Sequence, residues 1–164
     1  IQDKPVAIEI QKSKIDVNDV FRRTREYNRL GVYLLWVLPF NKPATHNHKG
    51  REPAVRRIQE WEKYLHAMYY GRLYFWQEQA FVIPFHFRKF GIWIEETEWY
   101  ESGIEMSSGG YFRTAKSLKL PIPFEQQLHI AEDFHALDRL EPFHTKTWSI
   151  PPCKLWKDKL ANWW

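Results

Sequence analysis

The chain has 164 residues, a formal net charge of +4 and a single cysteine, Cys153. That length suits one domain with a real core. One cysteine excludes an internal disulfide and a cysteine-built zinc site and fits a reducing cytoplasm. No apolar run is long enough for a transmembrane helix. The mild basic excess is compatible with a polyanion partner but does not demand one.

The first residues, Ile1-Gln2-Asp3-Lys4-Pro5, lead into an apolar segment and read as the second half of a β-hairpin, with Asp3-Lys4 in its turn. The expectation is that the numbering starts inside a longer protein. The segment Val6-Ala7-Ile8-Glu9-Ile10-Gln11 alternates as a strand, placing Glu9 and Gln11 on one face and Val6, Ile8 and Ile10 on the other. Ile10 is expected to anchor the strand in the core. The ordinary reading of such a polar pair is an outer strand face. The order strand, helix, very apolar strand points instead to a buried parallel sheet, where a polar pair at a strand's C-terminal end is costly unless it has a task.

Asp16 can cap a helix over Val17 to Leu30, with Gly31 stopping it. Val17, Val20, Phe21, Thr24 and Asn28 trace one face, with Tyr27 beside it. The run Gly31 to Leu38 is continuously apolar and reads as a strand buried on both faces, completing a right-handed βαβ crossover. Pro39 to Arg51 reads as a loop, in which His46 and His48 are more simply solvated than metal-ligating. A second helix is expected from Glu52-Pro53 through Met68, with Arg56-Arg57 near its start. Their charge there opposes the helix dipole, a weak hint that they serve a partner. Leu73 to Trp76 and Ala80 to Ile83 read as a hairpin, and Ile92 to Ile94 as a further strand. Glu95 to Arg113 reads as loop, its Glu95, Glu96 and Glu98 as a solvated edge. Glu125 to Leu137 reads as a helix carrying His129 and His135, and Lys154 to Leu160 as a short C-terminal helix. Cys153 has no activating base beside it and reads as inert.

Glu9-Ile10-Gln11-Lys12-Ser13, then Arg23-Thr24-Arg25-Glu26-Tyr27 on a helix, then Gly31 and Leu35-Trp36-Val37, resembles the CoiA-like competence proteins. These look like PD-(D/E)XK nucleases in which Gln replaces the catalytic Lys. The resemblance is good over residues 1 to 40 and extends loosely through Ile83. It implies an α/β fold: a restriction-endonuclease-like mixed sheet flanked by helices, here with an aromatic-rich helix and hairpin extension at the C-terminus. Residues 1–40 would then be a partial nuclease core, and residues 41–164 the rest of that domain or an extension of it.

The resemblance also implies a Mg²⁺- or Mn²⁺-dependent phosphodiesterase acting on DNA in bacterial competence, recombination or defence, in the cytoplasm and with recombination proteins as possible partners. Glu9 and the Ile10 carbonyl would hold the metal together with an Asp upstream of Ile1, since Asp3 suits the turn better. Gln11 would orient water; an amide carries no charge and cannot be a general base at neutral pH. Arg23 and Tyr27 would reach phosphate oxygens, with Thr24 beside them; the alternative is a half-buried helix face with a snorkelling Arg. Ser13 is a phosphate contact or a helix cap. Two other readings stand beside this one: a DNA-binding module whose metal site has decayed, and a protein-interaction domain built on the aromatic second half.

Overall fold

The computed structural model describes residues 1–40 and 55–163. The expected start of the second helix at Glu52-Pro53, and His46 and His48, lie outside the described residues.

Strand β1 (Val6–Ile10), helix α1 (Val17–Arg29) and strand β2 (Tyr33–Pro39) form the expected crossover, with β1 and β2 parallel and Glu9 opposite Trp36. The Asp16 side chain accepts the Asn18 amide and caps α1. Buried Thr24 fixes the helix to the sheet. Its hydroxyl donates to the Val20 carbonyl at 2.8 Å and accepts the Trp36 indole N–H at 3.1 Å. Ahead of β1, Gln2 and Asp3 both take positive φ, and Ile1 and Lys4 exchange backbone hydrogen bonds of 2.9 and 3.1 Å. That is the form of a two-residue hairpin turn, one residue earlier than the sequence suggests.

Strand β3 (Arg56–Arg57) and helix α2 (Glu60–Met68) follow. The Arg56-Arg57 pair therefore does not open a helix. Arg56 turns inward to Glu62 at 2.7 Å, with its guanidinium over Phe75 and Phe87. Helix α2 starts only at Glu60, where Gln59 and Glu62 form a capping box. Strand β4 (Leu73–Glu78) and the long β5 (Phe81–Ile94) make the expected antiparallel hairpin.

The rest of the chain departs from expectation. Residues expected as loop form β6 (Thr97–Glu101), β7 (Ile104–Ser108) and the start of β8 (Tyr111–Pro123), which runs back along β5. Ser102 and Gly103, both at positive φ, make the tip turn. Gly109 is obligatory, since a Cβ there would lie 2.0 Å from the Glu95 carbonyl oxygen. The expected helix over Glu125 to Leu137 is instead β9 (Leu128–His129), a turn in which Asp133 accepts the His129 amide, and β10 (Phe134–Arg139). Strands β11 (Phe143–His144) and β12 (Ser149–Ile150) form a small separate pair. The expected C-terminal helix is β13 (Cys153–Asp158). Pairing decides both cases: β13 is antiparallel to β10 and parallel to β2, so cross-strand burial overrides helical spacing.

The main sheet is mixed and nine-stranded, ordered β10-β13-β2-β4-β5-β8-β3, with β1 on β2 and β9 on β5. The last strand thus packs against the first crossover. Tyr69 closes a gap in the ladder, its hydroxyl donating to the Leu34 carbonyl and accepting the Trp36 amide. Arg139 donates to the Ala67 and Met68 carbonyls and so terminates α2.

Candidate active site

Among the described residues, strand β1 pairs with β2 alone. Pro5 accepts the Tyr33 amide and Gln11 donates to the Val37 carbonyl, both at 2.9 Å. Odd-numbered residues of β1 therefore turn their backbone groups toward β2, and even-numbered ones turn theirs outward. The Ile10 carbonyl faces the side on which, among the described residues, no other strand pairs with β1. Ile8 and Ile10 are 43% and 42% exposed, so Ile10 does not anchor the strand in the core as expected. The core contact comes from the opposite face, where Ala7 and Glu9 lie under α1.

Glu9 is held from that helix. The Tyr27 hydroxyl donates to Glu9 Oε1 at 2.9 Å, and Arg23 Nη1 lies 3.6 Å from Oε2. The hydrogen bond to the carboxylate is the largest cause raising the Tyr27 pKa. These residues line an open pocket of about 360 Å³ together with Arg22, Glu26 and Leu30. Arg22 is engaged with Asp19 and Glu26, whereas the ion-pair partner of Arg23 is Glu9. The spacing of four from Arg22 to Glu26 and from Arg23 to Tyr27 is the signal for this shared flank.

The other expected site residues fall in different places. Gln11 follows the end of β1, and its amide donates to the Ser13 carbonyl at 2.6 Å. Ser13 does not cap α1; Asp16 does. Thr24 points into the core and is committed to Val20 and Trp36, so it is not on the side of Arg23 and Tyr27. Cys153 is partly buried, and burial pushes its thiol up to about 12, consistent with an inert side chain.

The family model for the competence protein CoiA, nuclease-like domain, matches residues 1–90. The chain belongs to the CoiA family. No curated protein and no solved structure matches it. The CoiA match spans the Glu9 pocket, α2, β4 and much of β5, and reaches past the residues that carried the resemblance. It makes this a nuclease-like domain associated with competence.

Among the described residues no three His, Cys, Asp or Glu side chains converge on a metal position. The donors that the resemblance points to are oxygens, the Glu9 carboxylate and the outward Ile10 carbonyl. That chemistry fits a hard divalent cation. Arg23 beside Oε2 is the competing charge, and its long side chain can leave for another anion.

Proposed function

We propose that this domain is a divalent-metal-dependent DNA nuclease acting in DNA processing during competence or recombination, with a restriction-endonuclease-like arrangement of β1, α1 and β2. Glu9 and the Ile10 carbonyl would hold Mg²⁺ or Mn²⁺. The resemblance asks for a second carboxylate beside Glu9. When bound, the cation polarises the scissile phosphate and favours hydroxide over water.

This chain's own residues do the rest. Tyr27 fixes the rotamer of Glu9. Arg23 exchanges its carboxylate partner for a phosphate oxygen, a bidentate match for a guanidinium. Gln11, freed from Ser13, positions water through its amide without taking a proton. Partners would be DNA and the recombination proteins that handle it, in the cytoplasm. The observation that carries the proposal is the placement of Glu9 in an open pocket, clamped by the Tyr27 phenol at 2.9 Å and 3.6 Å from the Arg23 guanidinium.

Gln11 and the Arg23–Glu9 pair also favour a second reading, a DNA-binding module without catalysis. One assay separates the two. Single- and double-stranded DNA is incubated with Mn²⁺ and either the wild type or Glu9→Ala. Cleavage by the wild type alone supports the nuclease. Equal cleavage by both removes Glu9 from catalysis. No cleavage by either, with salt-sensitive binding retained, favours the binding module.

A further inference from the structure

The bent hairpin from Arg88 to Lys119 carries its charge in two blocks. Between Ile94 and Phe112 stand Glu95, Glu96, Glu98, Glu101 and Glu105 and no basic residue. None of these carboxylates has a hydrogen-bond or ion-pair partner among the described residues. Behind them, Arg88, Lys89, Arg113, Lys116 and Lys119 have no carboxylate partner among the described residues either. A protein neutralising itself internally would interleave these signs across the strands; here tip and base are separated.

The boundary between the blocks is apolar. Trp93 lies opposite Phe112, with their ring centroids 5.0 Å apart, and Phe112 is 73% exposed. Farther out, Tyr100 is 76% exposed on a two-stranded sheet with no core beneath it. Such a hairpin is marginal alone, and exposed rings of this size mark a contact surface.

We propose that this arm is an interface with a second copy of the same chain, in which two arms cross antiparallel about a two-fold axis near Trp93 and Phe112. The acidic tip of each copy would then lie against the basic base of the other, twice, around an apolar centre. Self-complementarity is what a closed two-fold contact requires. DNA does not fit the whole arm, because five carboxylates would repel phosphates along half of it. The complement that the acidic half needs, cations beside exposed rings, is present on the same molecule.

Sedimentation equilibrium on the full chain tests this. The wild type should have the mass of two chains at about 50 mM salt, and the dimer should weaken by about tenfold or more at about 500 mM. Charge reversal of the tip (E98K, E101K, E105K) should give monomer, as should reversal of the base (R113E, K116E, K119E). Mixing the two variants should restore the mass of two chains. A wild type that stays monomeric overturns the proposal, as do variants that still dimerise or a mixture that does not reassociate. Carbodiimide coupling of a mixture of ¹⁴N- and ¹⁵N-labelled wild type needs no variant. Mixed-isotope links from Glu98, Glu101 or Glu105 to Lys89, Lys116 or Lys119 support the crossing; single-isotope links alone contradict it.

Discussion

The Tyr27 hydroxyl donates to the Glu9 carboxylate across the gap between α1 and β1, at 2.9 Å. A phenol on a helix thus sets the direction of a carboxylate on a strand. Tyr27→Phe removes this bond and keeps the ring. It should lower stability by only about 0.5–1.5 kcal/mol, yet lower metal affinity or cleavage by about 10–100-fold, as loss of a partner that orients a ligand does. Urea unfolding and Mn²⁺-dependent cleavage on the same preparation check the two numbers.

Thr24 is the inner counterpart of that clamp. Thr24→Val leaves the Trp36 indole N–H without its acceptor in the core and should cost about 1–3 kcal/mol. Thr24→Ser, which keeps the oxygen, should recover most of the loss. Denaturant midpoints of the two variants measure the difference.

Asp158, fully buried, gathers Arg72, Lys157 and the Tyr74 hydroxyl at the end of β13. Asp158→Asn would leave two buried cations without their counter-charge. It should destabilise the fold by about 3–5 kcal/mol, which thermal unfolding would show.

His66 is buried beside His86, and its Nε2 accepts the Phe87 amide. Burial, helped by the His86 and Lys119 charges, pushes its pKa down to about 3. Its folded pKa lies below the unfolded one, near 6.5. In that window the unfolded chain binds more protons, so the stability tied to neutral His66 is complete above about pH 6.5 and is lost as the pH falls toward 3. His66→Gln should reduce the slope of stability against pH there. It would not abolish it, because His86 and His135 are shifted down as well. An unchanged slope would contradict this assignment.

The crossover was legible because its signals are local. Asp16 caps, Gly31 stops, and the run to Leu38 has no charged residue to place. The second half was not legible, for reasons that are also physical. In β13, Lys157 and Asp158 look like surface residues, and only the approach of Arg72 and Tyr74, at the start of β4 and far away in the chain, makes their burial tolerable. In β10, Phe134 and Leu137 have helical spacing, but pairing with β13 decides the conformation. The arm did carry a readable signal: Ser102-Gly103 between alternating residues is a hairpin turn. At the site, alternation identified the face of Glu9, and helical spacing put Thr24 on the face of Val17, Val20 and Phe21, but neither could show that Ile10 is exposed or that the Thr24 hydroxyl meets the Trp36 indole.

Mn²⁺ binding followed by electron paramagnetic resonance tests most directly whether the Glu9 pocket holds a divalent cation. Wild-type protein should bind the ion, and Glu9→Gln, similar in size but uncharged, should bind it about tenfold or more weakly. Equal affinity in the two proteins would contradict the account.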